Sequence, residues 1–362
     1  MRRCPWIIAL LLFLVSLPSA ATGTFPREHW ESFATPEDAG FSSEGLRAAQ
    51  AHASSIDTAA VMLVVQGRVV TQWGRTAERL NVHSIRKSLV SALYGIAVGD
   101  GTVSLDSTLA ELRIDDNEPS LTEGERRATV RQLITARSGV YHPALYETPG
   151  MAAMRPLRGS HSPGTFWYYN NWDFNALGTI YVQATGTDIF EAFQARIAKP
   201  LRMEDWRSGD GEYFRGRDSI HAAYPFRMSA RDLARFGLLY LHRGNWEGNS
   251  IIPSTWVKDS VAAHSDAGFA GGYGYLWWVA VNGRHLPFVN LPAGSFSAQG
   301  AGGHYLLVIP SMDLVLVHRV NTDIRGQSVN ARQFGELVRL ILEARVVPAA
   351  NARDRESNRR HR

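Results

Sequence analysis

Cysteine is all but missing: the chain of 362 residues has one, Cys4. Cys4 sits in an N-terminal stretch with basic Arg2 and Arg3, an apolar run from Trp6 to Leu17, and small residues at Ser19, Ala20 and Ala21. That order is the pattern of a secretory signal peptide over residues 1–21. It predicts an exported protein, periplasmic or extracellular; an uncleaved N-terminal anchor is the other reading. The run is short for a membrane span, so no stable membrane insertion is expected once it is removed. What remains has no cysteine, which excludes disulfides, a thiol nucleophile and cysteine-ligated metal. No second long apolar run follows.

Lysine is nearly as scarce. Of 38 basic residues only Lys87, Lys199 and Lys258 are lysine. Arginine stays protonated near neutral pH, whereas a desolvated lysine can accept a proton. The formal charge of +4 belongs largely to the ends. Arg2 and Arg3 carry part of it, and the segment from Arg345 to Arg362 sets six arginines against Asp354 and Glu356. The body between is close to neutral, and nothing in it points to nucleic acid. The tail, residues 347–362, ends in NARDRESNRRHR, which has no large apolar residue, and reads as a disordered, solvated basic segment, with binding to acidic surfaces as the second reading. No G-x-S-x-G pentapeptide marks a Ser-His-Asp hydrolase. The twelve histidines show no H-E-x-x-H or other tight ligand spacing, so neither a metal nor another cofactor is expected.

The patterning that is present divides the chain. Ser42 or Ser43 caps a helix through Leu46 to about Ser55. Residues 60–65 and 69–73 flank a Gln66-Gly67-Arg68 turn and read as a hairpin. Leu89, Leu93 and Ile96 then share one face of a helix stopped by Gly99-Asp100-Gly101. From about 102 to 225 the chain reads as irregular and helical, with helices near 130–136 and 176–185. Ser229 caps a helix through Leu241. Strands are predicted at 273–281 and 284–289, a second hairpin at 305–309 and 314–320, and a last amphipathic helix at roughly 329–344. Strands at both ends and helices between imply an α/β (α+β) domain over residues 22–346. Its sheet is assembled from distant parts, flanked by helices, with an all-helical lobe alongside. The cleft between the two is the natural place for a site.

Two segments carry chemistry. In Ser84-Ile85-Arg86-Lys87 the i, i+3 spacing lets the lysine reach the serine oxygen. The serine stands at a helix start, where backbone N–H groups stabilise an oxyanion. A base must take the hydroxyl proton before serine attacks a carbonyl. The tetrapeptide alone is equally a capping serine and a surface lysine. The rarity of lysine and the apolar run from Ser88 to Val98 favour the buried, chemical reading. The second segment runs from Pro163 to Gly178, PGTFWYYNNWDFNALG.

Together these segments resemble serine hydrolases related to class C β-lactamases, D-alanyl-D-alanine carboxypeptidases and 6-aminohexanoate-dimer hydrolases. That family carries S-x-x-K, then Y-x-N, then a glycine-containing strand motif. Leu133 to Gly139 and Met228 to Gly237 resemble further family stretches, so the likeness spans most of the chain. It implies a β-lactamase/transpeptidase-like fold and an acyl-enzyme on Ser84, with Lys87 and Tyr169 transferring protons. The family tyrosine falls on Tyr169 and the asparagine on Asn171; Tyr168 with Asn170 also fits Y-x-N. A lysine ammonium beside the tyrosine would favour a phenolate, able to act first as base and later as acid.

The third motif departs from the family. Ser297 to His304, SAQGAGGH, contains no K-T-G. If Ala298-Gln299-Gly300 takes that strand position, the cation that meets a β-lactam carboxylate is missing, while the backbone near Ala301 still offers an oxyanion donor. The alternative is a glycine-rich bulge. Gln299, Gly300 and Ala301 join Asn171 as candidate substrate-binding residues. His142, His304, Trp167, Trp172, Trp277 and Trp278 are candidates for lining the cleft or for packing. The expected partner is a small ester, amide or D-amino-acid peptide, and efficient β-lactam hydrolysis is not expected. A penicillin- or peptidoglycan-binding module that acylates slowly or not at all is the competing reading.

Overall fold

Ala60-Val61-Met62-Leu63-Val64-Val65 has no polar side chain, so it is satisfied only as a strand covered on both faces. In the computed structural model, which describes residues 23–346, it is β1 (Ala60–Val65), buried at all six positions. Gln66 and Gly67 both take positive φ and turn the chain into β2 (Arg68–Gly74), as a two-residue hairpin requires. The proposed signal peptide at 1–21 and the basic tail at 347–362 lie outside the described residues.

Ahead of the hairpin, α1 (Ser43–Ser54) starts where the Ser42 hydroxyl accepts from the Gly45 N–H. After it come β3 (Leu80–Asn81) and α2 (Ile85–Gly99). Between residues 102 and 225 the named elements are all helical: α3 (Glu123–Arg126), α4 (Val130–Ile134), α5 (Pro149–Met154), α6 (Asn171–Thr185) and α7 (Ile189–Phe193). The chain continues through β4 (Arg227–Met228), α8 (Ala230–Leu241), β5 (Asn245–Trp246), β6 (Asn249–Ser250), α9 (Ser254–Ser260), β7 (Ser265–Asp266), β8 (Gly272–Tyr273) and β9 (Trp278–Val279). It closes with β10 (Phe296–Gly300), β11 (His304–Ile309), β12 (Leu314–Arg319) and α10 (Ala331–Glu343).

Eight strands form one sheet in the order β2-β1-β12-β11-β10-β9-β8-β7. Every pairing in it is antiparallel. The β1–β12 pair joins strands from the two ends of the chain, with Ala60 opposite Arg319 and Val65 opposite Leu314. Alternation along β1 separates two cores. Val61, Leu63 and Val65 pack with α1 and with the Phe334, Leu337, Val338 and Ile341 stripe of α10. Met62 and Val64 face the larger core with α2, α8 and the helical segment. Helix α2 is buried from Ile85 to Ala97, which explains an apolar composition that a surface helix would not carry. No helix among the described residues is long and apolar enough to cross a membrane.

Two strand expectations are corrected. The segment 273–281 is broken after Tyr273, because Gly274 to Leu276 form a tight turn with Leu276 at positive φ. The segment 284–289 makes only the isolated bridges Val281–Arg284 and Leu286–Val289, and Pro287 has no N–H for a ladder. Helix α6 also starts at Asn171, earlier than expected, because the Asn170 side chain caps it by accepting from the Trp172 N–H.

Candidate active site

Ser84 is the residue from which α2 springs, and its hydroxyl makes no capping bond, leaving it available. The turn ahead of it is held from several sides. His83 takes φ of +48°, donates its N–H to Asn81 Oδ1 at 2.8 Å and holds Thr322 Oγ1 through its ring at 2.8 Å. Buried Arg319 donates to the carbonyls of Leu80, Asn81 and Met228 at 2.9, 3.0 and 2.7 Å, tying β3 and β4 to the sheet. A Cβ on Gly300 would lie 2.4 Å from the Val82 carbonyl oxygen. Only glycine lets β10 come this close to the start of α2.

Lys87 Nζ lies 2.7 Å from Ser84 Oγ. The lysine side chain is buried, with its nitrogen over the rings of Tyr169 at 4.7 Å and Phe174 at 4.9 Å. No carboxylate among the described residues pairs with it. Burial drives its pKa well below the ordinary lysine value, and the Arg86 guanidinium pushes the same way. Arg86 is itself fully buried, donating to Asn175 Oδ1 at 2.9 Å and lying over the Tyr224 ring at 4.3 Å. Both effects favour the uncharged amine, the form that can accept the Ser84 proton.

Tyr169 is fixed by Phe174, Tyr273 and Trp278, whose ring centroids lie 5.0, 5.8 and 5.3 Å from its own. Burial pushes its pKa up to about 12, against smaller downward pulls from the Ser84 hydroxyl and Arg86. Burial thus opposes the phenolate expected beside an ammonium and favours a phenol, the form that can donate a proton.

The two Y-x-N registers separate in space. Tyr168 turns its hydroxyl to the Met151 carbonyl at 2.8 Å, while Asn170 caps α6 and donates to Val140 O and Asp173 Oδ1. Asn171 donates to the Tyr146 carbonyl at 2.7 Å, and its buried Oδ1 has no partner among the described residues. Ser84, Asn171 and Ala301 line one cavity of about 850 Å³. Gln299 is not brought to it. Its side chain donates to Ser297 Oγ at 3.0 Å and faces a separate hollow of about 770 Å³ with His285 and Phe288. Successive strand residues point to opposite faces, so Gln299 and Gly300 cannot both meet the same ligand. His142 and His304 are buried and line neither hollow. Trp172 and Trp277 are core residues, and Trp278 stacks on Tyr169.

The sequence reading missed much of the cavity wall. Tyr146, Glu147, Arg155, Phe214 and Asp218 all line it. They come from loops whose path depends on tertiary contacts, and the only local sign is the Y-x-N asparagine that holds the Tyr146 carbonyl.

Residues 46–337 match the family described as Beta-lactamase. An uncharacterised protein of Alkalihalophilus pseudofirmus is 24% identical over 322 residues, covering 77% of this chain and 90% of that protein. Among solved structures, a 6-aminohexanoate-dimer hydrolase homologue from Bacillus anthracis superimposes with a TM-score of 0.63 at 20% identity, covering 89% of this chain and 88% of that one. An octameric penicillin-binding protein homologue from Pyrococcus abyssi gives 0.60 at 17% identity, covering 84% and 78%. EstCE1, a hydrolase with promiscuous acyltransferase activity, gives 0.60 at 16% identity, covering 86% and 99%.

Proposed function

The chain belongs to the Beta-lactamase family and has its transpeptidase-like hydrolase fold, and from this premise we propose that it is a serine hydrolase cleaving a small ester or amide through an acyl-enzyme on Ser84. The observation that carries the proposal is the 2.7 Å contact between Ser84 Oγ and a buried lysine nitrogen with no carboxylate partner among the described residues. Neutral Lys87 takes the hydroxyl proton as Oγ attacks the carbonyl carbon. The backbone N–H groups of Ser84 and Ala301 meet the oxyanion, with Gly300 permitting the close approach. Tyr169, a phenol at working pH, protonates the leaving group and regains its proton through Lys87. Water then follows the same route in reverse to release the acid. Asn171, on the cavity wall, helps to position the substrate.

The wall lacks the third-motif cation, so a β-lactam carboxylate finds no partner there and esters or linear amides are the better substrates. The N-terminal pattern over residues 1–21 supports export to the periplasm or medium as part of the same reading. The test is turnover of p-nitrophenyl acetate together with labelling by a fluorophosphonate. The wild type should release nitrophenol repeatedly and take one label on Ser84. Ser84→Ala should lose the label and at least about 10³ in rate. Release of a single equivalent by the wild type would make the protein a binding module instead.

A further inference from the structure

The ribbon that forms one wall of the Ser84 cavity has a second side. Residues 211–226 fold back on themselves, with Phe214 and Ala223 exchanging N–H···O bonds of 2.8 and 3.0 Å. Along an extended arm, side chains alternate between faces. Phe214 lines the Ser84 cavity, and a Cβ on Gly216 would lie 2.8 Å from Leu145 of the same cavity. Tyr213 and Arg215 line a different hollow of about 430 Å³, joined from the returning arm by Ile220 and Ala222. Helix α6 contributes Thr179, Val182 and Gln183 to it. A volume of this size suits a small organic molecule.

Most polar groups on this second wall are already committed. Asp188 accepts from the N–H groups of Phe190 and Glu191 through Oδ1 and from the Tyr213 hydroxyl through Oδ2, at 2.8, 3.2 and 2.7 Å. The Thr179 hydroxyl lies 2.9 Å from His221 Nδ1, and the Gln183 amide donates to the Leu112 carbonyl at 2.7 Å. Arg215 is exposed, lies over the Tyr213 ring at 5.2 Å, and has no ion pair or hydrogen bond among the described residues. The hollow thus offers a cation without such a partner, beside an aromatic ring and the apolar side chains of Val182, Ile220 and Ala222. A guanidinium meets a carboxylate through two parallel N–H donors.

We propose that this second hollow binds a monocarboxylate with a compact apolar body, the carboxylate on Arg215 and the body against Tyr213, Val182 and Ile220, and that its occupancy is felt at Ser84 through Phe214 on the other face of the ribbon. Hydrolysis of a small ester or amide releases an acid of this kind, so the site supplies product feedback. The feedback rests on the hydrolase reading; the binding site does not.

Benzoate, benzamide and benzylammonium share one body and differ in charge, and calorimetry with the full chain measures the binding of each. An exposed ion pair predicts benzoate binding about three- to fivefold tighter than benzamide, with benzylammonium weakest. Arg215→Gln, at an exposed position, should remove the preference for benzoate. Hydrogen exchange should show added protection by benzoate in residues 179–183 and 213–222. In wild type, benzoate should change kcat/KM for p-nitrophenyl acetate by about twofold or more and then level off, because both molecules are held at once. Equal binding of benzoate and benzamide, unchanged benzoate binding in Arg215→Gln, or protection confined to residues 143–152 overturns the proposal. So does an ester rate indifferent to benzoate, or inhibition that runs to completion through KM alone, which places benzoate beside Ser84. If the ester is not turned over at all, the hydrolase reading fails, while calorimetry and exchange still decide the site.

Discussion

Replacing Lys87 with methionine separates what the lysine does for chemistry from what it does to the fold. Methionine keeps the length and apolar stem and removes the amine. Wild-type Lys87 is 2% exposed, and among the described residues its amine has one hydrogen-bond partner, Ser84 Oγ at 2.7 Å. Its pKa is depressed in the folded state, by burial first and Arg86 second. A group with a depressed folded value adds full stability only above its unfolded pKa and loses it as pH falls toward the folded one. Inside that window the unfolded chain binds a proton that the folded chain refuses, so the wild type loses about 1.4 kcal/mol per pH unit relative to the variant. Denaturant unfolding of both proteins at roughly pH 9.5 and 8.5, just below the unfolded value of about 10.4, measures this directly. The advantage of Lys87→Met over wild type should grow by about 1.4 kcal/mol over that step, worth roughly 2 °C in melting temperature. Ester hydrolysis by the variant should fall by about 10³ or more, because the proton acceptor is gone. An advantage that stays constant or shrinks as pH falls would mean that Lys87 is charged in the fold, and the amine-accepts, phenol-donates account would be lost.

The other expectations concern the same region. In wild type, kcat/KM for an ester should rise with pH through the depressed Lys87 value and then stay level, since Tyr169 does not ionise until about 12; a profile still climbing steeply at pH near 10 would contradict this. Tyr169→Phe should lower kcat by about 10²-fold or more. Tyr168→Phe, losing only a bond to the Met151 carbonyl, should change it less than about threefold; the reverse order would return the motif to the other register. Gly300→Ala places a Cβ 2.4 Å from the Val82 oxygen; unfolding titrations should show a loss of about 1–3 kcal/mol together with reduced kcat. Arg319→Met removes three buried hydrogen bonds, to the carbonyls of Leu80, Asn81 and Met228, and should cost about 3–5 kcal/mol in the same measurement.

How much was legible in the sequence depended on how local the cause was. The first hairpin was readable because an uninterrupted apolar run and a Gln-Gly turn are properties of adjacent residues. The Ser84–Lys87 contact was readable for the same reason, since three residues along a helix fix it. The start of α6 was misread because Asn170 looked like part of an aromatic loop until its side chain was seen closing on Trp172. The extended look of residues 284–289 came from composition alone, without a neighbour to pair with. Gln299 and Gly300 were taken as one motif, yet strand alternation turns Gln299 to a separate hollow while Gly300 packs against Val82 and His83. The protonation of Tyr169 lay furthest out of reach, since it depends on how deeply Lys87 is buried and on the Arg86 charge beside it.

The pairing of Ala60 with Arg319, which joins strands from opposite ends of the chain, has a consequence for how this molecule comes into being. The first hairpin, made early in synthesis, has no neighbouring strand on its β1 side until nearly all of the polypeptide has left the ribosome. Its apolar residues must wait for a partner delivered last, so closure is a late and non-local event, slow by nature and exposed to misassociation in the interval. Truncations that spare every residue around Ser84 but remove the final strand and helix should therefore yield insoluble chains, not weakened catalysts.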